Sequence, residues 1–235
     1  MQERQGNKMA FQLDKVVPWG RTQTEYMKMF SLTETDLCKK IASFGDGPAS
    51  FNFESTISGH HIISLDAIYQ FSKEQIASQI YKTKDIVMQQ MQENMQNYRW
   101  TDIKDIADLE KTRMGAMQLF LNDFDKGKEE GRYVFHELPD RTNYGDNAFD
   151  IGLSSHFLLM YTSLGYEFHI QTIDEMLRIC KEIRISPIVD LDGNPTELTE
   201  QVIEHYKKIY DVQIIKTSYV FQKNGDQMLC IKKAC

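Results

Sequence analysis

The chain has 235 residues, 41% hydrophobic and 26% charged, which is typical of a globular protein with one sizeable core. Its formal net charge of −7 gives no electrostatic footprint for a polyanion, so nucleic acid is not expected as a partner. No apolar run approaches the roughly 20 residues that span a bilayer, and the four cysteines form no C-x-x-C pair, so we expect no membrane span, no metal site and a cytoplasmic protein.

Two short apolar runs carry the main ligand signal. The first ends in a turn with Gly45 and Gly47, where the absence of side chains would let backbone N–H groups come close to a polar ligand. The second, residues 62–66, ends in Asp66, at the spacing where Rossmann-like folds place the acid that binds ribose hydroxyls. Singly, the glycines could form an ordinary turn and Asp66 a helix N-cap. Together they predict a nucleotide-type site.

The N-terminal segment, residues 1–34, is predicted to cap that site. Its Pro and Gly fix an extended turn that places Trp19 beside Arg21, and Arg21 could pair with a carboxylate of the ligand. Alternatively, Trp19 is a core anchor and Arg21 a surface charge. Thr24 can cap the helix that follows.

Residues 72–130 contain no proline and repeat apolar residues at helical spacing, with an interruption near 97–101. The tract is longer than one crossover helix needs. We therefore predict a helical insertion that lies over the active face or covers the sheet. Three methionines in it could line an adaptable pocket or pack in the core: Met88, Met91 and Met95.

The second half of the chain alternates strand-like and helix-like runs. Strands are predicted over 132–136, over 149–158 and over 183–190, where Pro187 indicates an edge or a bulge. Helices are predicted over 169–181 and 199–210. The alternation favours a mostly parallel α/β sheet.

The end of the chain has a different pattern. Two strand-like runs, 212–221 and 228–231, flank the dipeptide Asn224-Gly225. Such a pattern is typical of a hairpin with a tight turn. The sheet is therefore predicted to close with an antiparallel pair.

In this order the features resemble the class I, Rossmann-like, S-adenosylmethionine-dependent methyltransferases, and are closest to a bacterial methyltransferase-like group of undefined substrate. The resemblance is carried by Val17-Pro18-Trp19-Gly20-Arg21, Gly47-Pro48-Ala49-Ser50-Phe51-Asn52, Ser154-Ser155-His156-Phe157-Leu158 and a terminal Met228-Leu229. The first two stretches are more specific than the glycine turn, which is generic. The resemblance covers nearly the whole chain. It implies one α/β domain, residues 1–235, with a mostly parallel seven-stranded sheet, an antiparallel last strand and helices on both faces.

The resemblance further implies S-adenosylmethionine as cofactor and a small molecule as methyl acceptor. By that resemblance Asp66 would hold the ribose hydroxyls, Glu137 the adenine amino group, and the Ser154 backbone the methionine portion. Two positions depart from the family's pattern: Ser43 replaces the acid that commonly precedes the turn, and Ala49 replaces its last glycine. The first departure removes one contact to the cofactor's amino group. The full set implied to bind the cofactor is Trp19, Arg21, Gly45, Asp46, Gly47, Pro48, Asp66, Ala67, Glu137, Leu138 and Ser154.

Methyl transfer from a sulfonium is an in-line displacement, which needs alignment and exclusion of water more than a base. If the acceptor is a hydroxyl or an acidic carbon, His156 is expected as the base, because an unperturbed imidazole has a pKa of ~6.5. His156 could equally be a helix-start histidine bonded to backbone. Tyr161 and Tyr69 could line the acceptor pocket and face the sulfonium.

Two other functions fit parts of the pattern. An NAD-dependent oxidoreductase would also use a glycine turn with an acid about 20 residues later, although Ser50 stands where that fingerprint has a third Gly or Ala. A non-catalytic binding or interaction module would keep the cofactor site and use residues 72–130 to contact a protein partner. The Ser43 departure motivates the second alternative.

Overall fold

The structure is a computed structural model that describes residues 17–233. Its strands are β1 (Ile41–Phe44), β2 (Ile62–Asp66), β3 (Tyr133–Phe135), β4 (Phe149–Ser155), β5 (Cys180–Ser186), β6 (Asp211–Lys216) and β7 (Gln227–Lys232). They form one sheet in the order β3-β2-β1-β4-β5-β7-β6. β7 runs antiparallel to both β5 and β6, and the remaining neighbours are parallel. The predicted Rossmann-like, methyltransferase-type sheet is confirmed.

The helices are α1 (Gln23–Met29), α2 (Glu34–Leu37), α3 (Phe51–Ile57), α4 (Lys73–Glu93), α5 (Ile106–Glu129), α6 (Gly165–Ile179) and α7 (Glu197–Tyr206). Capping boxes fix where three of them begin. Thr33 caps α2 and Ser72 caps α4, whereas α1 is capped by Thr22 and not by the predicted Thr24. Thr22 is the N-cap because the side chain of Glu25, three residues later, accepts a hydrogen bond from the backbone N–H of Thr22.

β1 lies at the centre of the sheet, and all four of its residues are buried. The chain continues from β1 to β2 on one side and later to β4 on the other. Such a reversal of strand order opens a crevice outside the carboxyl ends of the two strands. The fold therefore opens a crevice where the glycine turn follows β1.

Two boundaries around β5 differ from the predictions. β5 begins at Cys180, directly after α6, and Pro187 lies just beyond its last residue, Ser186. β5 lies between β4 and β7, so the predicted edge or bulge is wrong. The strand ends before Pro187 because proline has no N–H to donate to a ladder.

The predicted tight hairpin is also wrong, although the antiparallel pairing of β6 with β7 is confirmed. β6 ends at Lys216, and a loop of residues 217–226 joins it to β7. Two aromatic side chains in the loop are buried, Tyr219 and Phe221, and the backbone N–H of Arg99 donates to the carbonyl of Phe221 at 2.7 Å. These contacts with residues distant in sequence fix the loop in a conformation other than a two-residue turn.

The predicted insertion over 72–130 consists of α4 and α5 with a connection between them. Apolar residues of both helices, among them Ile80 and Phe120, pack around Tyr69. The methionines predicted to line a pocket or pack in the core differ in burial, because Met88 is buried whereas Met95 is 39% exposed. None of the helices of residues 17–233 is both long and apolar enough to cross a membrane.

The predicted N-terminal cap, residues 1–34, is described from residue 17 onward, and residues 1–16 lie outside the described part. The described segment lies directly on the glycine turn. A Cβ added at Gly20 would sit 2.1 Å from the carbonyl oxygen of Pro48, and the backbone N–H of Ser50 donates to the carbonyl of Arg21 at 3.0 Å. This close approach brings Trp19 and Arg21 to the crevice.

Candidate active site

A cavity of about 1000 Å³ opens at the carboxyl ends of β1, β2, β3 and β4. The segment before α1, helix α4 and the 217–226 loop contribute its other walls. Of the predicted site residues, Ser154 does not line the cavity: it is fully buried within β4, and Ser155 takes its place. The predicted residues that do line it are Trp19, Arg21, Gly45, Asp46, Gly47, Pro48, Asp66, Ala67, Glu137, Leu138, His156 and Tyr161.

The glycine turn and Asp66 are in direct contact. The backbone N–H of Gly47 donates to Asp66 Oδ2 at 2.8 Å, and that of Gly45 donates to the carbonyl of Leu65 at 2.9 Å. The prediction that these amides would face a ligand is therefore wrong for both glycines. Gly47 has a φ of 56°, and a Cβ added there would meet nothing within 4 Å. Its backbone thus borders open space in the cavity.

Asp66 ends β2 with its side chain half-buried in the cavity wall. Its Oδ1 accepts the backbone N–H of Ile68 at 2.8 Å, so it also caps the short 3-10 helix Ala67–Gln70. Burial raises the pKa of Asp66 to about 6. Each carboxylate oxygen accepts one backbone donor and keeps capacity for a hydroxyl of a ligand.

An acid, Asp46, lies three residues after Ser43 and is bonded to the Ser43 hydroxyl. The hydroxyls of Tyr26 and Ser43 donate to its Oδ1, and the hydroxyl of Ser64 donates to its Oδ2. Asp46 is 5% exposed, and burial raises its pKa. Three hydroxyl donors from α1, β1 and β2 thus hold this carboxylate beneath the turn.

A second ionic cluster lies between α1, α5 and the 217–226 loop. Arg113 is fully buried, and its Nη1 donates to Glu25 Oε2 at 2.6 Å. The hydroxyl of Tyr219 donates to Glu25 Oε1 at 2.8 Å. Both oxygens of Glu25 are therefore engaged within the cluster.

Arg21 lies beside this cluster and lines the cavity. Its Nη1 donates to the carbonyl of Trp19 at 3.3 Å, its Nε is buried without a partner, and within residues 17–233 it forms no ion pair. Burial lowers the pKa of Arg21, and the neighbouring Arg113 lowers it further. Arg21 is a half-buried cation that faces the cavity.

His156 follows β4 in a turn with a φ of 52°, well before α6 begins, so it is not a helix-start histidine. Its Nδ1 lies 3.0 Å from Ser155 Oγ. Burial, with the nearby charges of Arg21 and Arg113, holds the pKa of His156 well below 6.5. The expectation of an unperturbed imidazole is corrected: the ring is neutral near pH 7.

The two tyrosines predicted for the acceptor pocket lie in different places. Tyr161 lines the cavity and is 37% exposed. Tyr69 is fully buried, and its hydroxyl donates to the carbonyl of Gly47 at 2.8 Å. Tyr69 supports the glycine turn from below and does not line the cavity.

A comparison with curated proteins identifies a relative. Over 223 residues the chain is 35% identical to the uncharacterized protein MJ0045 of Methanocaldococcus jannaschii, with 94% of this chain and 98% of the relative covered. The chain belongs to the MJ0045 family. No family model matches it. MJ0045 is archaeal, and the resemblance to a bacterial group stays a prediction.

Several solved structures are similar to this MJ0045-family chain. A TehB-like S-adenosylmethionine-dependent methyltransferase from Corynebacterium glutamicum matches 91% of this chain and 88% of its own length, with 14% identity and a TM-score of 0.46. One such methyltransferase from Aquifex aeolicus matches 89% and 87%, with 12% identity and a TM-score of 0.38. A Pyrococcus horikoshii protein matches 90% and 87%, with 10% identity and a TM-score of 0.46. The fold assignment rests on the strand order of the chain itself.

Sequence patterns missed one wall of the cavity in this MJ0045-family protein. Tyr98 stacks on Phe221, with ring centroids 5.0 Å apart and an interplanar angle of 23°. These two rings come from separate irregular loops, and the segment around Phe221 has the alternation of a strand. No local signal could have paired them. The other cavity residues from α4 and from the loops after β5 and β6 are Val87, Gln90, Met91, Leu191 and Gln222.

Proposed function

We propose that this protein binds S-adenosylmethionine in the 1000 Å³ cavity and transfers its methyl group to a small-molecule acceptor in the cytoplasm. One observation carries the proposal: the glycine turn after β1 is hydrogen-bonded to the carboxylate that ends β2, at the crevice where strand order reverses. The volume lies at the upper end of the range typical of small-molecule sites, about 300–1,000 Å³. A cofactor and a small acceptor can share such a space.

The residues of the cavity fit this cofactor. Asp66 has acceptor capacity for both ribose hydroxyls, because each of its oxygens holds only one backbone donor. Glu137 follows β3 and lines the same wall, where it can accept from the adenine amino group. The open space beside Gly47 lets the cofactor come close to the backbone of the glycine turn.

When bound, the cofactor supplies a methyl group on a sulfonium, which needs no activation by the protein. The protein's contribution is alignment and exclusion of water, for which the apolar and aromatic lining is suited. His156 is neutral and lies in the wall, so it can accept a proton from an acceptor hydroxyl. The ring face of Tyr161 favours a cation nearby.

The strand order favours methyl transfer over hydride transfer. Dinucleotide-binding folds join two parallel halves in the order 3-2-1-4-5-6. In this chain β7 is antiparallel and lies between β5 and β6. An antiparallel last strand is what the methyltransferase resemblance implies.

The proposal is tested by turnover. Purified protein is incubated with S-adenosylmethionine and the small-molecule fraction of a cell extract, and S-adenosylhomocysteine is quantified by mass spectrometry. We expect product that depends on both the protein and the extract, and Asp66→Ala should abolish it. If the wild-type protein forms no more product than Asp66→Ala, the result contradicts catalysis and favours a binding module that lacks an acceptor.

A further inference from the structure

Among the described residues that line the cavity, Arg21 is the only arginine or lysine, and it forms no ion pair with any of them. The carboxylates that line the cavity, Asp46, Asp66 and Glu137, follow the ends of β1, β2 and β3, and none of them pairs with Arg21. Glu25 lies close to Arg21, but its oxygens already bind Arg113 and Tyr219. The Arg21 guanidinium is half-buried with its Nε unpartnered, and partial burial of a charge is costly unless an anion pairs with it. The site is therefore built to receive a negative group from a ligand.

The wall next to Arg21 is aromatic. Its guanidinium hydrogen-bonds to the backbone of Trp19, and the neighbouring Arg113 lies 5.9 Å from the centroid of the Phe221 ring. Phe221 stacks with Tyr98, and all three aromatic residues line the cavity. Flat rings favour a planar partner that stacks on them or meets their edges.

The rest of that wall is apolar and adaptable. Val87 and Met91 of α4 line the cavity. The methionine side chain is flexible and can adjust to the outline of a ligand. The side-chain amide of Gln222 donates to the carbonyls of Asp190 and Leu191, so these N–H groups stabilise the loop and are not directed at the ligand.

We propose that the methyl acceptor is an aromatic acid, with its ring against the Tyr98–Phe221 wall and its carboxylate paired with Arg21. The inference rests on the proposed function, because it names the acceptor class of the same cavity. It also moves Arg21 from the cofactor, where the resemblance placed it, to the acceptor. Arg21 and His156 line the same cavity, so an acid paired with Arg21 places its ring in the space that the neutral imidazole also borders.

A matched pair of probes tests the proposal: 3-hydroxy-2-naphthoate and 2-naphthol, which differ by one carboxylate. Each is titrated by calorimetry into protein saturated with S-adenosylhomocysteine. We expect the naphthoate to bind at least about tenfold more tightly, the range of a charge-assisted hydrogen bond to a half-buried partner. Tyr98→Ala should weaken both probes by similar factors, because it removes ring contact and leaves the cation.

Arg21→Gln should abolish the preference for the naphthoate, and Arg21→Lys should restore part of it. The matched control is Arg99→Gln, which removes an exposed arginine adjacent to Tyr98 that does not line the cavity, and the preference should survive. Thermal unfolding of each variant shows that it is folded. A preference that Arg99→Gln removes equally would mean general attraction to positive charge and would overturn the proposal.

Two further outcomes would overturn the inference and leave the proposed function intact. One is equal affinity of the wild-type protein for the two probes. The other is an Arg21→Gln variant that loses affinity for S-adenosylhomocysteine and keeps the naphthoate preference, which would return Arg21 to the cofactor. If S-adenosylhomocysteine does not bind at all, the proposed function fails, and titrations of the free protein decide the aromatic-acid proposal by the same criteria.

Discussion

Asp66 has a structural role in the fold and, under the proposed function, also binds the ribose of the cofactor. It accepts the backbone N–H groups of Gly47 and Ile68, and its pKa is raised to about 6. Under the proposed function, a ribose hydroxyl donates to the ionised form. Protonation, which begins as the pH falls through 6, therefore competes with cofactor binding.

The affinity for S-adenosylhomocysteine should consequently fall about tenfold between pH 7 and pH 5, as one proton is taken up per site below the pKa. Calorimetry across this range measures the change. Asp66→Ala should bind weakly at every pH and show no such slope, whereas Asp211→Ala, at an exposed position, should behave like the wild type. A flat wild-type profile would show that Asp66 does not bind the ribose.

His156 illustrates how a site changes a residue's ordinary chemistry. Burial and the charges of Arg21 and Arg113 keep its imidazole neutral. In a proton NMR titration its ring signals should not shift between pH 6 and pH 8, and His156→Gln identifies them by their absence. In Arg21→Gln the titration should move toward the ordinary value of ~6.5, because one repelling cation is gone. A wild-type midpoint near 6.5 would contradict the described environment.

At the scale of elements, the contact between residues 17–22 and the glycine turn closes one side of the cavity. A Cβ at position 20 would overlap the carbonyl oxygen of Pro48. Gly20→Ala should therefore displace this segment, lower the free energy of unfolding by about 1–3 kcal/mol and weaken ligand binding. Chemical denaturation and calorimetry measure the two effects.

A matched control is available for Gly20→Ala in α5. Gly115 lies within this helix, and a Cβ added there meets nothing within 4 Å. Gly115→Ala should stabilise the protein by about 0.5–1 kcal/mol, because alanine loses less backbone entropy in a helix. Equal effects of the two substitutions would show that the close approach at Gly20 is unimportant.

The elements that sequence could predict are those governed by local pattern. The glycine turn and Asp66 meet because parallel neighbouring strands end at the same edge of the sheet, which spacing alone anticipates. The three hydroxyl donors that hold Asp46 beneath the turn could not be anticipated, since one of them, Ser64, lies on another strand. The loop 217–226 was missed because its alternation is that of a strand while its conformation is set by distant partners.

At the scale of the whole molecule, the seven-stranded sheet and its antiparallel last strand follow from the α/β alternation and the family resemblance. The chain is 35% identical to the archaeal MJ0045, and the match covers 94% of this chain. The single domain of residues 1–235 stays a prediction. Function depends on whether the crevice at the β1–β4 reversal takes the proposed cofactor.

Thermal unfolding with S-adenosylhomocysteine, with NADH and without ligand tests that claim most directly. At a ligand concentration of a hundred times Kd, binding adds about 2.7 kcal/mol, or roughly 5 to 10 °C in Tm for a chain of this size. We predict that shift with S-adenosylhomocysteine, none with NADH, and its loss in Asp66→Ala. A shift with NADH alone, or none with either ligand, would contradict the account.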